Sequence, residues 1–498
     1  LLSRPEIDGN RIGAFGCSGG GAMTALLGGL DPRVHAVATA CYFTTFDALL
    51  PSIGAQDAEQ SIPGFIAPGR WNLPLGFPDW IEVGAPRPYA MVGTVSDMFP
   101  WAGFLTTAKE ARRFYSLFDK SAEGTLTGNP PPPTPTGPTL NPDTANRIAA
   151  DAPFQVVAGI GGHGNLRPIQ SQIVEFFLRN LAGSDAKAIV APAPPPGTRP
   201  GAGPSEVPAS ALQVTPTGQV LTSYPGSETV FSLNEKRAAK KLPKLPATMP
   251  IAKLQAEVRA VTHAEAMPGA PPVAPPQLTV HVRRDDEPEP KYFHQFLHLT
   301  TAAGVSLDGE IVEPSGHGRK AARLVLTTEG NSAQGGEHRE YEIPNTLVLA
   351  ITPRPSPPGG EETKSPILGN FYMTELRAEL VDKTILGMRV DDVIRAVNYL
   401  ASRPEVDPNN ITAEASGHMG LVLLHAAVLD SRIKHVKVDH ALESYESLLH
   451  APVPLDAPQD ILPGVLMHYD IPELVRALGP RLTATEWLAG TANLGAAK

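Results

Sequence analysis

The sequence is poor in cysteine and has no long apolar run. Two cysteines among 498 residues, Cys17 and Cys41, exclude a disulfide framework and leave room for one bridge at most; we expect two free thiols. No uninterrupted hydrophobic stretch could span a bilayer, so nothing favours an integral membrane protein. A net charge of −10 argues against nucleic acid as a partner, because phosphate binding depends on clustered cations. A neutral or small substrate fits better.

The sequence has instead the length and the apolar content for more than one core. With 498 residues, of which 42% are hydrophobic, two or three domains are expected. The chain opens with Leu1 rather than Met, within a pattern typical of a helix end. We therefore expect the native start, and any secretion signal, to lie outside this sequence.

A nucleophile-elbow pattern lies close to the start of the chain. Segment 16–20, GCSGG, matches G-x-S-x-G; the residues before it, 11–15, predict a short buried strand, and a helix-compatible run follows. In such an elbow the serine occupies a strained turn, and Gly16 and Gly20 leave room for neighbouring backbone. Ser18 is therefore the predicted nucleophile, and a plain glycine-serine loop is the alternative.

The segment from Leu1 to Leu50 repeats later in the chain without a gap. The offset is 399 positions (403 − 4), as in the pair Arg4 and Arg403. Other identical pairs are Pro5/Pro404, Glu6/Glu405, Asp8/Asp407, Asn10/Asn409, Ile12/Ile411 and Gly21/Gly420. A repeat this long indicates a duplicated domain rather than a solenoid unit.

Composition divides the chain into three parts. Residues 1–182 hold the first copy, 183–276 are rich in alanine and proline and read as a partly ordered linker, and 277–498 hold the second copy. Within the linker, 213–221 suggests a strand and 251–266 has helical spacing.

Strand-like and helical segments alternate in both copies. This alternation predicts two α/β units, each a mostly parallel sheet with helices on both faces. Strands of the first copy are expected near 12–15, 34–40, 89–94 and 154–160. The second copy adds earlier strands, near 278–283, 322–327 and 346–351, which the first copy lacks. We expect a companion chain or a missing N-terminal segment to complete the first unit.

A serine nucleophile needs a base and a carboxylate, and candidates for both follow Ser18 in chain order. Asp97 is the first carboxylate after the strand predicted at 89–94, at the sheet edge where the elbow opens; helix capping is its alternative role. His163 lies in a glycine-flanked loop after the last strand, where its ring can approach Ser18. A surface histidine is the alternative. His35 fits less well, because it falls at the opposite edge.

The second copy has lost its nucleophile, since the offset places Gly417 opposite Ser18. Ser416 is one position early, with Glu414 where the first elbow glycine would have to stand, so we do not expect it to substitute. No carboxylate occupies the place that corresponds to Asp97. The second unit is therefore expected to be degenerate and non-catalytic.

With these residues assembled, the chain resembles the acetylxylan esterase-like branch of the α/β-hydrolases, including large bacterial proteins with two hydrolase units in tandem. The resemblance covers most of both copies. Its most specific segments are 16–21 (GCSGGG), 57–60 (DAEQ) with 62–64 (IPG), 96–100 (SDMFP), 162–165 (GHGN) and 387–393 (GMRVDDV).

The resemblance implies two α/β-hydrolase-like units, a triad of Ser18, Asp97 and His163, no metal or organic cofactor, and a secreted or periplasmic location. The implied reaction is hydrolysis of acetyl esters of carbohydrate, with a small ester or an acetylated oligosaccharide as substrate. An oxyanion hole needs two donors; Gly19 would supply one, and the other would precede Leu1. Glucuronoyl esterases look similar at Gly-Cys-Ser but carry arginine where this chain has Gly19.

Two other functions stay open. A serine peptidase of the prolyl-oligopeptidase type shares the order Ser, Asp, His, but it usually carries a β-propeller, for which 183–276 is too short and too rich in proline. A non-catalytic carbohydrate-binding or scaffold protein would result if both hydrolase units had decayed.

Overall fold

The structure is a computed structural model that describes residues 1–52, 75–123, 152–182, 208–246, 248–281, 291–300, 304–328, 339–354, 368–451 and 453–490. The chain forms two compact units, Leu1–Pro208 with Glu379–Asp382, and Ala209–Ala378 with Lys383–Lys498. The motif segments 57–60 and 62–64, and the part of the expected linker from 183 to 207, lie outside the described residues.

The first unit alternates strands and helices, as expected. Its strands are β1 (Gly13–Cys17), β2 (Ala36–Ala40), β3 (Tyr89–Ser96) and β4 (Phe154–Gly162). Its α-helices are α1 (Gly19–Leu30), α2 (Phe46–Leu49), α3 (Asp79–Glu82), α4 (Trp101–Tyr115) and α5 (Gln170–Phe177), with 3₁₀ turns at Lys120–Glu123 and Arg167–Ile169 and a π turn at Leu178–Ala182. The strands are all parallel and lie in the order β1-β2-β3-β4.

The alternation of side chains gives this sheet a core on each face. Along β3, Tyr89 and Met91 join a cluster with residues of α1, α3 and α4, whereas Ala90 and Val92 join a second cluster with residues of α5. Because both faces are covered, β2 is buried at every position. The prediction of a parallel sheet with helices on both faces is confirmed for this unit.

The second unit is built on a larger sheet. Its strands are β5 (Gln277–His281), β6 (Tyr292–Thr300), β7 (Ser306–Pro314), β8 (Lys320–Leu326), β9 (Thr346–Ile351), β10 (Val406–Ser416), β11 (Ile433–Asp439), β12 (Ala441–Leu442), β13 (Leu482–Ala484) and β14 (Trp487–Leu488). Its α-helices are α6 (Ala209–Leu212), α7 (Val220–Ser223), α8 (Val230–Lys241), α9 (Ile251–Thr262), α10 (Tyr372–Leu380), α11 (Ile385–Ser402), α12 (Gly417–Leu429), α13 (Tyr445–Leu449) and α14 (Ile471–Leu478).

Eight of these strands form one mixed sheet in the order β13-β11-β10-β8-β9-β7-β6-β5. The strands from β13 to β9 are parallel, and β7, β6 and β5 are added antiparallel. The hairpin strands β6 and β7 were not predicted from the sequence. Among the described helices of both units, none is long and apolar enough to cross a membrane.

The repeat seen in the sequence reappears as matching elements. In each unit a strand, a helix and a second parallel strand follow one another: β1, α1 and β2 in the first, β10, α12 and β11 in the second. The neighbours differ, because β10 lies between β8 and β11, whereas within the described residues β1 pairs with β2 alone. In the part of the first unit that the structure describes, no counterparts of β8 and the other earlier strands are seen.

Part of the expected linker belongs to the second unit. Helix α9, predicted from spacing at 251–266, buries Leu254, Val258 and Val261 in the core of that unit, so the segment is more than a connection. The strand suggested at 213–221 is wrong. Exposed polar side chains there bond locally, as Thr217 does with Ser223, and the chain forms the short helix α7 instead.

Candidate active site

The elbow places Ser18 in a left-handed turn between β1 and α1. Its backbone has φ 61° and ψ −124°, an unusual conformation for a residue with a side chain. The Ser18 N–H donates to the carbonyl of Ala40 at 3.0 Å, and the Ser18 carbonyl accepts from Ala22 N–H at 3.0 Å. Strain of this kind, about 1–3 kcal/mol, persists only where the surroundings hold it and is typical of functional sites.

Gly16 meets the steric demand that the sequence pattern predicts. A Cβ at Gly16 would lie 2.1 Å from the carbonyl oxygen of Gly20. The predicted role of Gly20 itself is wrong, because no described atom beyond its chain neighbours and the backbone of its own helix would come within 4 Å of a Cβ there. Gly21 is the second crowded position, with a Cβ placed 2.5 Å from the carbonyl oxygen of Ala40, because α1 passes close to the end of β2.

Asp97 and His163 lie side by side. The imidazole Nδ1 is 2.7 Å from Oδ1 of Asp97, a distance typical of a charge-assisted hydrogen bond. Asp97 also accepts the Phe99 N–H at 3.1 Å and the Thr94 hydroxyl at 3.2 Å. Its side chain is 3% exposed and that of His163 is 24% exposed, so the carboxylate is enclosed while the ring keeps an open side.

The register of the sheet explains this pairing. Ser96, at the end of β3, is the partner of Gly162, at the end of β4, so the residues that follow these strands are neighbours. Thr94 strengthens the arrangement, since its hydroxyl also lies 3.0 Å from the Gly162 carbonyl oxygen. Gly161 and Gly164 have φ of 121° and 76°, and this backbone turns the loop that carries His163.

The elbow opens at the same edge of the sheet. Cys17, the last residue of β1, is paired with Ala40, and Ala40 with Val92, so the carboxyl ends of neighbouring strands lie together. Ser18, Asp97 and His163 each follow one of these ends. Such an edge is where open α/β sheets bind their ligands.

Cys41 is a further member of this edge that sequence reasoning missed. It follows β2 with φ 53°, is 2% exposed, and lies close to the thiol of Cys17. Burial raises the pKa of both thiols, so neither is a thiolate nucleophile at neutral pH. Both cysteines are free, as predicted. A polar residue directly after a buried strand was the signal that could have drawn attention to Cys41.

The second unit keeps the turn of the elbow without its hydroxyl. Gly417, opposite Ser18, has φ 55°, close to the 61° of Ser18. The next residue, His418, is buried and holds its Nδ1 2.7 Å from Oδ2 of Asp460. This histidine–aspartate pair was not predicted; His418 lies in the first turn of α12, and Asp460 comes from a later loop. Because Gly417 carries no side chain, this turn has no hydroxyl at the position of Ser18; the expected loss of catalysis in the second unit stays a prediction.

Comparison with known proteins gives structural likeness only. No family model matches the sequence, and no curated protein matches it. A putative acetyl xylan esterase from Bacteroides fragilis NCTC 9343 is similar, with a TM-score of 0.40 and 12% identity over 52% of this chain and 76% of that chain. Acetyl xylan esterase 1 from Thermoanaerobacterium sp. JW/SL YS485 has a TM-score of 0.34 and 13% identity, over 50% of this chain and 80% of that one.

A glucuronoyl esterase from Solibacter usitatus is similar at a TM-score of 0.32 and 13% identity, over 49% of this chain and 80% of that chain. Likeness at this level assigns no activity to the chain. Function therefore has to be inferred from the contacts that its own residues make.

Proposed function

We propose that the first unit is a serine esterase in which Ser18, His163 and Asp97 form the catalytic triad. The observation that carries the proposal is the 2.7 Å contact between His163 and Asp97 at the edge where the Ser18 turn opens. A hydroxyl on a strained turn, an imidazole and an enclosed carboxylate, in this chain order, are the parts that acyl transfer requires.

The chemistry would run through an acyl-enzyme. Ser18 Oγ attacks the ester carbonyl carbon while His163 Nε2 accepts the hydroxyl proton, and Asp97 stabilises the imidazolium through Nδ1–H. The Gly19 N–H, at the start of α1, donates to the oxyanion. His163 then returns the proton to the departing alcohol, and a water activated by the same ring releases the acid and restores Ser18.

Acetyl esters of carbohydrate are the proposed substrates. The motif segments that resemble the acetylxylan esterase-like branch support this choice, and two of the similar structures named above are described as acetyl xylan esterases. Water-exposed His163 leaves an open side toward which a sugar ester could approach. The proposed substrate is therefore a small ester, and neither a nucleic acid nor a lipid bilayer is proposed as a partner.

The test is active-site labelling joined to hydrolysis. A fluorophosphonate probe should label the full chain and fail to label Ser18→Ala, and turnover of a small acetyl ester should fall by about 10³-fold or more in that variant. Ser416→Ala, in the second unit, is the matched control and should label as the wild type does. Equal labelling of wild type and Ser18→Ala would remove Ser18 from the site.

Substrate class is tested on the same preparations. Acetylated xylan oligosaccharides should be deacetylated, and a prolyl anilide should not be cleaved. Cleavage of the anilide in preference to the acetyl ester would favour the peptidase. Binding of oligosaccharide without hydrolysis of either substrate would favour the non-catalytic alternative.

A further inference from the structure

Three side chains that ligate metals meet beside the elbow. The Cys41 thiol, a carboxylate oxygen of Asp97 and a ring nitrogen of His163 all lie within 4.8 Å of one another. Ligands around one tetrahedral zinc ion lie roughly 3.5 Å apart, because zinc–ligand bonds are about 2.0–2.3 Å long. Small side-chain rotations would therefore bring these three atoms to bonding distance.

We propose that Cys41, Asp97 and His163 bind a thiophilic divalent cation of the Zn²⁺ class, and that the bound ion blocks the acid–base pair. Thiolate, imidazole and carboxylate together form a donor set that selects zinc or cobalt over magnesium or calcium. Among the described residues, no other group of three such side chains is close enough to hold an ion.

The fold holds the three ligands on neighbouring strands. Cys41 follows β2, Asp97 follows β3 and His163 follows β4, and these strands are adjacent in one sheet. Cys41 also lies close to the backbone N–H of Gly164, in the loop that carries His163. The His163 side chain is 24% exposed, so an ion from solvent can reach at least this ligand directly.

Binding would stop catalysis by an exchange of protons. The ion displaces the Cys41 S–H proton to solvent and binds the ring nitrogen nearest Asp97, which is Nδ1; the Nδ1 proton passes to solvent and Nε2 takes up one proton from solvent. The neutral ring then carries its one proton on Nε2, so that nitrogen has no lone pair to accept the Ser18 proton. The site is thus an inhibitory one, and this consequence, unlike binding itself, rests on the proposed function.

Cobalt binding tests the site without any need for activity. Co²⁺ bound to a thiolate gives a sulfur-to-metal charge-transfer absorption, and Cys17 and Cys41 are the two cysteines that could produce it. We expect the band at one ion per chain in the wild type and in Cys17→Ser. In Cys41→Ser the band should be absent and the affinity at least about tenfold weaker. No band in the wild type, or a band retained in Cys41→Ser, would overturn the proposal.

Zn²⁺ inhibition tests the consequence. Zn²⁺ should lower acetyl ester turnover of the wild type, a chelator should restore it, and Mg²⁺ should have no effect. In Cys41→Ser and in Cys41→Ala, the Zn²⁺ concentration that halves each variant's own activity should rise at least about tenfold. Unchanged sensitivity in a folded Cys41 variant counts against the site. A cobalt band in a chain without esterase activity would instead leave the site standing and reject the proposed function.

Discussion

Thr94, in β3, contacts Asp97 directly and also contacts the residue that precedes His163. Its buried hydroxyl lies 3.2 Å from Oδ2 of Asp97 and 3.0 Å from the carbonyl oxygen of Gly162, the residue before His163. One hydroxyl proton is shared between two acceptors that orient the site. Thr94 touches no reacting atom in the proposed reaction, so it is a positioning residue.

Replacing Thr94 by valine keeps the shape of the side chain and removes this donor. We expect kcat to fall about tenfold or more with little change in KM, because a hydrogen bond to a charged group contributes about 1.5–3 kcal/mol. Thr94→Ser, which keeps the hydroxyl, should recover most of the turnover. Steady-state kinetics on the acetyl ester measures both. If Thr94→Ser lost as much kcat as Thr94→Val, packing of the methyl group and not the hydroxyl would be what matters at this position.

Residues that belong to a recognisable sequence motif could be predicted, and residues whose role depends on contacts with distant parts of the chain could not. Ser18 lies in a five-residue pattern, and His163 lies between glycines after a strand, so both could be picked out. Thr94 and Cys41 act through contacts with distant parts of the chain. Nothing in their local sequence states which strand ends will be neighbours, and that information comes from the register of the sheet.

At the scale of one element, the G-x-S-x-G pattern requires glycine at both Gly16 and Gly20, but the structure has room for a Cβ at the second position alone. Gly16→Ala would place a Cβ 2.1 Å from the Gly20 carbonyl oxygen, so the backbone of the turn would have to move. We expect a loss of about 1–3 kcal/mol or more in the free energy of unfolding. Gly20→Ala meets open space in the first turn of α1 and should be neutral or stabilising by up to about 1 kcal/mol.

Denaturant unfolding of the two variants measures the contrast. Ser18 labelling in the same samples tells whether the turn survives, and we expect it to be lost in Gly16→Ala and kept in Gly20→Ala. Equal destabilisation by both substitutions would mean that the close approach of Gly16 to Gly20 does not constrain the turn.

The hairpin β6–β7 shows why some elements escape prediction. Both strands carry charged and polar residues, and these pair across the hairpin: His294 Nδ1 lies 2.8 Å from Oε1 of Glu310, and His298 Nδ1 lies 2.7 Å from Oδ1 of Asp308. Within the buried pair, each partner satisfies a polar group that would be costly to bury alone, whereas the side chains of His298 and Asp308 are exposed. Without knowledge of their partners, such residues do not predict a strand. The apolar runs of β2 and β9, in contrast, predict strands from their own sequence.

Across the whole molecule, the two units share one sequence repeat but differ in the residue at the elbow and in the buried groups beside it. The first unit keeps a serine at the left-handed position of the elbow, and the second has Gly417 there, for which the same φ carries no strain. In the second unit the neighbouring buried groups are His418, held between Asp460 and Asp456, and His425, which bonds the carbonyl of Leu421. The second unit thus has glycine in place of the serine and buried histidines close to it.

These two histidines should give the second unit a stability maximum near pH 6.5. Burial lowers the pKa of His418, but the Asp460 and Asp456 carboxylates outweigh it and raise the pKa to about 9. This contribution is complete below the unfolded value of about 6.5 and is lost as pH rises through 9. Burial lowers the pKa of His425 to about 4, so the unfolded chain takes up a proton first, and stability falls as pH drops from 6.5 toward 4.

Calorimetric unfolding between pH 5 and pH 9 measures both limbs, with changes on the order of 3 kcal/mol for a full shift of about 2.5 pKa units. Asp460→Asn removes the nearest carboxylate of His418 and should flatten the alkaline limb while leaving the acid limb. The variant should also lower stability at pH 6.5 by about 3 kcal/mol, because His418 is left buried without its main partner. An alkaline limb unchanged in Asp460→Asn would show that His418 does not set the alkaline stability of this unit.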